Sequence, residues 1–498
     1  MNVNPITRLD YPDPDVIRVE DTYYMVSTTM HFMPGCEILQ SFDLVHWEHV
    51  TYVYETLDHT DAQQLKSGQN IYGQGMWAAS LRYHEGRFYI CFVANDTRKT
   101  YLYTSEKIDG PWKKQLIEGF YHDGSLLFDE DGRNYIVYGN DEIWITELNE
   151  DLTAPKKDGL HRLLVSDHKN PELGYEGSHI QKINGYYYIF LVHSLRDRWM
   201  RTEACFYSDS LEGEFTGGDV LCDDRGYCGQ GVAQGGIVDT PDGKWYAMLF
   251  QDSGAVGRIP ILLPVTWKDH FPVFGQNGHV PEEIEVHSTR PGYIYQPLVG
   301  SDDFCNGLLP RWQFNHDPDP RYYHLDALQG TYTITTREVC TELTQAVNTL
   351  TQRMSYPSCA AEVTVDASAL KEGDVAGLCA LQGCYAAVGI TKHHGKYEVL
   401  MLDKKEDGIL DMTEGTVVES HQMDFRLEAD FCNMKDEARC YYRVNKGDWL
   451  PIGIVHKLYF KLDHFTGCRF GLFCYAAEET GGSACFRDFK YYDVDEIS

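Results

Sequence analysis

Short apolar stretches alternate with tight polar turns along most of the chain, and helical periodicity is scarce. Runs rich in Val, Ile, Tyr and Phe are separated by Asp-Gly, Asn-Gly and Glu-Gly pairs. This pattern is typical of β-hairpins, because Asn-Gly and Asp-Gly readily adopt the turns that join antiparallel strands. The sequence therefore predicts an all-β protein.

Five segments before residue 300 share one form: a polar entry residue, an apolar strand, a tight turn and a second strand that carries a tyrosine. These tyrosines are Tyr24, Tyr89, Tyr135, Tyr188 and Tyr246. Eleven residues before the first tyrosine, and twelve before each of the others, stand the entry residues Asp13, Trp77, Asp123, Glu176 and Gln234. Repeated units of this kind predict a five-bladed β-propeller, whose innermost strands line a central axis.

The entry residues share a register, so we expect them to converge at one end of that axis. Three of them are acids, and burying like charges together costs several kcal/mol, which a purely structural core would avoid. Two carboxyl groups facing across a pocket can cleave a glycosidic bond, one as proton donor and one as base or nucleophile. A third acid raises the pKa of the donor by repulsion. The alternative, that these acids are solvated strand starts, stays open.

A second pattern begins in the last third of the chain. A Gly-, Pro- and Glu-rich stretch follows Phe274 and predicts a linker, and alternating strands from about Asp302 predict an antiparallel β-sandwich. We therefore expect a catalytic propeller over residues 1–285, a linker over 286–301 and an accessory sandwich over 302–498. The sandwich either binds carbohydrate or braces the propeller rim.

Charge and cysteine content narrow the partners. The chain has 43 Lys and Arg against 75 Asp and Glu, a formal net charge of −32, which argues against a nucleic acid or an anionic membrane as partner. It fits a neutral or cationic substrate, although a very soluble surface explains it equally, and the expected partner is a small oligosaccharide. The 15 cysteines form no CxxC pair, and neither a signal peptide nor a long apolar span is visible. We expect reduced cysteines and a cytoplasmic protein, and a homo-oligomer stays open.

Several motifs, taken in order, look like the series found in glycoside hydrolase family 43, which comprises β-xylosidases, α-L-arabinofuranosidases and related enzymes. They are YPDPDVIRVEDTYYM from Tyr11, STTMHFMPG from Ser27, GMWAASLRY from Gly75, HDGSLLFDEDG from His122, EGSHIQKINGYYY from Glu176 and GVAQGGIVDTPDGKWY from Gly231. Near the other end, DDF at Asp302, NHDPDP from Asn315 and GLFCYAAEETGG from Gly471 resemble the concanavalin-like sandwich of the exo-acting members.

The resemblance implies a five-bladed propeller and an inverting single displacement. Position by position, it makes Asp13 the general base and Glu176 the general acid, and it makes Asp123 the acid that tunes the pKa of the donor and orients it. An inverting enzyme needs its two carboxyl groups about 6.5–9.5 Å apart, to leave room for the attacking water. Asp15, the close competitor of Asp13, is expected to point outward.

The resemblance also implies substrate contacts. Arg258 matches an arginine that hydrogen-bonds the sugar, and the residues expected around the substrate are Trp77, Phe32, Arg258, His193 and Gln234. Many family members have a histidine in the fifth repeat that helps to hold a central Ca²⁺, and this chain has Gln234 there. Direct imidazole ligation is therefore not expected. Ca²⁺ held through water and the absence of a catalytic metal both stay open, and no cofactor is required.

These observations predict an exo-acting, inverting glycosidase that releases xylose, arabinose or both from short oligosaccharides. A predominant α-L-arabinofuranosidase is the first alternative, because the two sugars present similar hydroxyl patterns. A non-catalytic carbohydrate-binding propeller is the second, although it gives no reason for three acids in register. The related retaining, invertase-like propellers would need a WMNDPNG-type motif, which YPDPD is not.

Overall fold

The computed structural model describes residues 2–461 and 464–493 and is built almost entirely from β-strands. Within these residues the helical elements are four short 3₁₀ turns, Lys66–Gly68, Gly254–Val256, Leu343–Gln345 and Cys432–Met434. No helix in this part of the chain is long and apolar enough to cross a bilayer. The all-β prediction is thus confirmed.

The first domain consists of five four-stranded antiparallel sheets whose strands run in chain order, and only in blade 1 does another strand, Phe32–Met33, lie between two of them in the described chain. The innermost strands contact each other in a closed ring, which makes the domain a five-bladed propeller. From the axis outward, the blades comprise Asp15–Val19, Thr22–Val26, Gly35–Ser41 and Glu48–Tyr54; Met76–His84, Arg87–Ala94, Lys99–Ser105 and Lys113–Ile117; Ser125–Phe128, Asn134–Asn140, Glu142–Leu148 and His161–Ser166; Glu176–Ile183, Tyr186–Ser194, Arg201–Ser208 and Thr216–Leu221; and Val232–Asp239, Trp245–Asp252, Arg258–Lys268 and Phe271–Phe274.

Apolar clusters fill the wedge between each pair of neighbouring blades. One cluster joins blades 1 and 2 through side chains such as Ile38 and Leu81, and equivalent clusters lie at the four other joints. The predicted tyrosines stand in the second strand of each blade, as the repeat requires. Burial of these alternating apolar side chains is what turns the repeat into a ring.

The N-terminal segment closes the ring against blade 5. Strand Asn2–Val3 pairs with Glu283–Ile284, and the Asn4 side chain exchanges two hydrogen bonds with the backbone of Leu262, at 2.8 and 3.1 Å. The Tyr11 amide then donates to the Arg258 carbonyl at 2.9 Å. The first inner strand, and Asp13 just before it, are therefore held against the last blade.

The second domain is a sandwich of two antiparallel sheets around one large apolar core. One sheet has the strand order Leu410–Met412, Lys396–Lys404, Tyr385–His393, Val375–Leu381, Arg469–Tyr475, Leu350–Arg353 and Gln313–Asn315, with Thr416–Val418 also paired to Lys396–Lys404. The other has the order Tyr323–Asp326, Thr331–Thr335, Ser483–Asp493, Ser358–Asp366, Gln422–Asp430, Glu437–Val444 and Leu450–Lys457. The predicted sandwich is confirmed.

The two domains share a sheet. The propeller strand Phe32–Met33 pairs with Gln313–Asn315 and so extends the first sheet of the sandwich. The buried Asp10 carboxylate reinforces the joint by accepting the amides of Arg258 and Gly467, each at 2.7 Å. This second bond anchors the sandwich loop next to the mouth of the propeller.

The segment predicted as a linker, residues 286–301, lies on blade 1. The Thr289 amide donates to the Phe42 carbonyl at 2.7 Å, and the Arg290 guanidinium stacks over the Phe42 ring at 4.0 Å. The Tyr295 hydroxyl accepts the Phe42 amide at 2.8 Å. These contacts fix the path of the chain from one domain to the other.

Candidate active site

All five entry residues line one cavity of about 250 Å³ at the axis of the propeller. Each stands at the start of its inner strand or just before it, as the repeat predicts. The complete lining is Asp13, Trp77, His122, Asp123, Asn140, Leu173, Glu176, Trp199, Arg201, Gln234, Arg258 and Phe465. All five blades contribute acids, aromatic rings or cations at this one end, so the cavity is the candidate active site.

A wider cavity, about 460 Å³, opens between the other ends of the same inner strands. Its acids are paired: Asp239 contacts Arg18 at 2.5 Å, and Glu130 contacts Lys182 at 3.1 Å. Among its described lining residues no carboxyl side chains face one another. The wider cavity is therefore not the candidate active site, although its volume is larger.

Irregular backbone aims the entry side chains at the axis. Asp13, Asp123 and Gln234 have left-handed φ angles of 52°, 46° and 64°. In blades 2, 4 and 5 the pairing register shifts at the entry position, which is a β-bulge. Bulges re-aim side chains, and each left-handed residue costs about 1–3 kcal/mol that the surrounding fold must offset. Strain of this kind is typical of functional sites.

Asp13 is held by two donors. Its Oδ1 accepts the Arg258 Nη1–H at 2.6 Å, and its Oδ2 accepts the Thr28 hydroxyl at 2.5 Å. The carboxylate is only 3% exposed, so it meets bulk water only through the cavity. This arrangement leaves an oriented carboxylate with a defined face toward the pocket.

Glu176 and Asp123 lie together around His122. The Glu176 Oε2 accepts from Asn140 Nδ2 at 2.6 Å and lies 3.4 Å from His122 Nε2, which is equally far from Asp123 Oδ2. The Gly177 amide donates to Asp123 Oδ2 at 3.0 Å. The two carboxyl groups are thus bridged by one imidazole.

This grouping separates the acidities of the two acids. Burial raises the pKa of Asp123 to about 6, although the His122 charge opposes it. Burial also raises the pKa of Glu176, but the hydrogen bond and charge of His122, with the charges of Arg201 and Arg258, outweigh burial and lower that pKa. Burial lowers the pKa of His122, whereas the Asp123 and Glu176 charges raise it to about 9 overall. Near neutral pH the imidazole therefore carries a proton.

Two arginines of the cavity wall share one buried carboxylate, that of Asp252. Asp252 accepts Arg258 Nε at 3.2 Å on one oxygen and Arg201 Nε at 3.0 Å on the other. Phe465, from the sandwich, packs over the Arg258 guanidinium at 4.1 Å and edge-on to Trp77 at 5.4 Å. The accessory domain therefore forms part of the pocket.

The expected outward orientation of Asp15 is wrong. The side chain is 1% exposed and faces the neighbouring inner strands, where Arg82 and His179 hold it. Its carboxylate accepts the Leu81 amide at 2.7 Å and contacts Arg82 at 2.8 Å and His179 at 3.1 Å. These bonds use both oxygens, so Asp15 is a structural acid beneath the pocket.

Two expected substrate contacts lie outside the pocket lining. His193 is held between Asp167 at 3.2 Å and Asp219 at 2.8 Å, so both ring nitrogens are engaged in blade 4. Phe32 is buried at the domain joint, where the Arg469 guanidinium stacks on its ring at 3.4 Å. Both predictions are corrected: the shared sheet takes Phe32 into the joint, and hydrogen bonds to Asp167 and Asp219 hold His193 away from the pocket.

Six pocket residues escaped the sequence reasoning: His122, Asn140, Leu173, Trp199, Arg201 and Phe465. His122 directly precedes Asp123 in its motif, which is a signal that could have been used. The others stand outside the repeat register, and Phe465 belongs to the other domain. Their places depend on how separate strands meet in space.

A group that could hold a metal ion is formed by His122, Asp123 and Glu176, whose candidate ligand atoms lie within 4.8 Å of one another. Ca²⁺ prefers about six to eight oxygen ligands, and this group supplies two carboxyl groups and an imidazole whose pKa is raised to about 9. A proton thus competes with a cation at His122. The Gln234 backbone amide donates to Glu203 Oε2 at 2.7 Å. The group does not fit Ca²⁺, and we assign no step to a metal.

Two family models match the chain. That of glycosyl hydrolases family 43 covers residues 3–272, and that of the β-xylosidase C-terminal concanavalin A-like domain covers residues 301–492. The first boundary falls at the end of blade 5, and the second model spans the sandwich.

Known proteins resemble the chain over nearly its full length. A β-xylosidase of Formosa agariphila is 27% identical over 99% of this chain and 89% of its own. The structure of a bifunctional GH43-CE protein of Bacteroides eggerthii is 42% identical with a TM-score of 0.92; the match covers 99% of this chain but only 63% of that one. An engineered GH43 enzyme with both endo-xylanase and exo-arabinofuranosidase activity is 27% identical with a TM-score of 0.86, over 99% of each chain.

The family 43 model matches more than half of the chain, in the domain whose axis gathers the three acids. The chain belongs to glycosyl hydrolases family 43.

Proposed function

We propose that the protein is an exo-acting, inverting glycosidase that releases xylose, arabinose or both from the non-reducing ends of short oligosaccharides. The observation that carries the proposal is the small cavity in which three acids from three blades meet. Phe465 from the sandwich lines one side of it. A cavity of about 250 Å³ narrowed in this way favours the end of a chain over its middle.

In this proposal Asp13 is the general base. Arg258 and Thr28 occupy its two oxygens with one donor each, so a water bound at the remaining lone pairs meets a fixed carboxylate. The base removes a proton from this water as the oxygen attacks the anomeric carbon. The bond to the leaving oxygen breaks on the opposite face, and the configuration inverts.

Glu176 is the general acid, and its surroundings supply the proton. The Asp123 carboxyl keeps a proton up to about pH 6, and one of its oxygens lies within 4.8 Å of a carboxyl oxygen of Glu176. His122 contacts both carboxyl groups through one nitrogen. Because His122 and the arginines lower the pKa of Glu176, this carboxyl is ionised near neutral pH and must take up a proton before it donates to the glycosidic oxygen as the bond breaks, and we assign Asp123 to orient it through the shared imidazole.

The wall suits an uncharged sugar. Trp77 and Phe465 offer apolar ring faces, and the charged groups of the pocket nearly balance. The similarity to a β-xylosidase and to an enzyme with arabinofuranosidase activity supports pentosides of both kinds. Rates on 4-nitrophenyl β-D-xylopyranoside and α-L-arabinofuranoside, measured side by side, decide the preference.

Proton NMR of the first turnover tests the stereochemistry. Hydrolysis of a β-xyloside should release α-xylose first, followed by slow mutarotation. Asp13→Ala and Glu176→Ala should stay folded and lose turnover by at least about 100-fold, whereas Glu130→Ala, at an exposed hairpin turn, should match the wild type. Initial release of β-xylose would overturn the inverting mechanism. Binding of sugars with no hydrolysis after long incubation would favour the non-catalytic propeller.

A further inference from the structure

Arg201 is a buried cation with an unused donor in the wall of the active-site pocket. Its side chain is 2% exposed and lines the cavity, and its Nε–H is bound to Asp252 at 3.0 Å. Its Nη1 is buried and has no hydrogen-bond partner among the described residues. A buried charged donor left unpaired is costly, and for one in a pocket wall a bound ligand can supply the missing partner.

The neighbouring Arg258 shows what this position can do. Both guanidiniums use Nε to bind Asp252, one on each oxygen. The outer nitrogen of Arg258 is occupied by Asp13 at 2.6 Å, whereas that of Arg201 is vacant. Asp252 therefore presents two arginines to one pocket, of which one serves the base and the other is available to the substrate.

The Arg201 side chain has little freedom to turn away. Its guanidinium lies 5.2 Å from the Trp199 ring centroid and 5.3 Å from that of Phe250, and the bond to Asp252 fixes its plane. A donor held between two rings and a carboxylate is already oriented before a ligand arrives. Orientation of this kind gives discrimination at little entropic cost.

The charge around Arg201 selects a neutral partner. Arg201, Arg258 and the His122 imidazolium face the carboxylates of Asp13, Glu176 and Asp252, and Asp123 adds a further acid. A carboxylate-bearing sugar would add negative charge next to four acids. A hydroxyl oxygen satisfies the vacant N–H without that cost.

We propose that Arg201 is a specificity-determining residue whose Nη1–H donates to a ring hydroxyl of the sugar held in the pocket. This inference rests on the proposed function, because it assigns a role toward the substrate of the same site. Arg201 begins the third strand of blade 4, and Glu176 begins the first, so the residue that selects the sugar and the acid that cleaves the bond belong to one blade.

The test pairs a variant with altered substrates. The wild type and Arg201→Met are assayed on the 4-nitrophenyl pentoside that the wild type hydrolyses faster, and on its monodeoxy analogues, one for each ring hydroxyl. We expect the variant to lose about 10- to 100-fold in kcat/KM on the parent glycoside. For one deoxy analogue, the kcat/KM of the wild type should fall by a similar factor relative to the parent glycoside, whereas that of the variant should fall by less than about 3-fold. Arg198→Met, at an exposed arginine nearby, is the matched control and should behave as the wild type.

Arg201→Lys keeps the experiment decisive if the methionine variant folds poorly. It retains the charge next to Asp252 and loses the fixed fork, so it should show the same loss of selectivity for one hydroxyl. Equal penalties for every analogue in an active wild type and in a folded variant would overturn the role of Arg201 alone. A wild type that hydrolyses no pentoside would overturn the proposed function and this inference together.

Discussion

At the scale of single residues, the pocket depends on which acid keeps a proton. Asp123 and Glu176 contact the same imidazole nitrogen, yet burial raises the pKa of Asp123 to about 6, while His122 and the arginines lower that of Glu176. Two similar carboxyl groups thus differ through their surroundings, and the difference leaves the resting proton on Asp123, so the proposed donor Glu176 must be protonated from its surroundings in each turnover.

Asp123→Asn should stabilise the protein in alkali and inactivate it. The pKa of Asp123 rises from 3.8 to about 6 on folding, so stability is lost as the pH rises through 6, by up to about 3 kcal/mol. In calorimetry the variant should therefore have a higher melting temperature than the wild type at pH 8 and the same melting temperature at pH 4. Its kcat/KM should be lower by about 100-fold or more. A variant less stable than the wild type at pH 8 would contradict the assignment.

At the scale of elements, the inner strands are tied together beneath the pocket by Arg82. Its guanidinium bonds the Asp15 carboxylate at 2.8 Å, the Ser125 hydroxyl at 2.7 Å and the carbonyls of Leu126 and Ile180 at 2.8 and 3.2 Å. These partners lie on the inner strands of blades 1, 3 and 4, whose entry residues are the three acids. One cation from blade 2 thus holds their spacing.

Arg82→Met should destabilise the propeller by about 3–5 kcal/mol, because it leaves the buried Asp15 carboxylate without its main counter-charge. The free energy of unfolding, measured with urea, checks this. Arg133→Met is the control: this arginine pairs with Asp131 at an exposed turn, and its loss should change stability by less than about 1 kcal/mol. Equal effects of the two substitutions would show that the axial network contributes nothing.

At the scale of the whole molecule, the shared sheet makes the sandwich part of the active site. Phe32–Met33 joins the two domains, Asp10 binds Gly467, and Phe465 reaches the pocket. The sandwich therefore supplies one side of the cavity whose other walls come from the five blades.

Phe465→Ala should weaken substrate binding through the sandwich. Removing a buried ring costs about 1–3 kcal/mol of apolar contact, so we expect kcat/KM to fall about 10- to 100-fold, mainly through KM. Leu328→Ala changes a side chain that is 95% exposed on the same domain and should leave the kinetics unchanged. Wild-type KM values in the Phe465 variant would show that the sandwich contributes no binding energy.

The domain joint should also make the protein sensitive to acid. His316 is fully buried there, accepts the Ile71 amide at 3.0 Å on Nε2 and has its pKa lowered from 6.5 to about 3 by burial and by His464. Only the unfolded chain takes up this proton between pH 6.5 and 3, so stability should fall by about 1.4 kcal/mol per pH unit.

Melting temperatures from pH 7 to 4 test this assignment. His316→Gln keeps an acceptor for the Ile71 amide without the titration, and its melting temperature should fall less steeply than that of the wild type. His287→Gln, at an exposed histidine, should keep the wild-type slope. Identical slopes in all three proteins would exclude His316 as the origin.

The sequence alone determined the blades and the ring of entry residues. Five hairpins with the same spacing predict five equivalent inner strands, because each repeat places its entry residue at the same distance before its turn. A shared register therefore brings Asp13, Asp123 and Glu176 to one end of the axis wherever the outer strands lie. The sequence reasoning failed for Asp15, because the turn-like Pro-Asp-Pro-Asp run suggested a surface position, whereas the residue begins the inner strand and pairs with Arg82 and His179.

Only the tertiary structure decided the rest of the pocket. Arg201, Asn140 and Phe465 reach it from outer strands, loops and another domain, and no periodicity links them to the entry residues. Phe32 lies at the domain joint because its strand pairs with the sandwich, and His193 is held by hydrogen bonds to Asp167 and Asp219. A repeat specifies what recurs along the chain, whereas contacts between distant segments depend on how whole sheets pack, which local sequence does not encode.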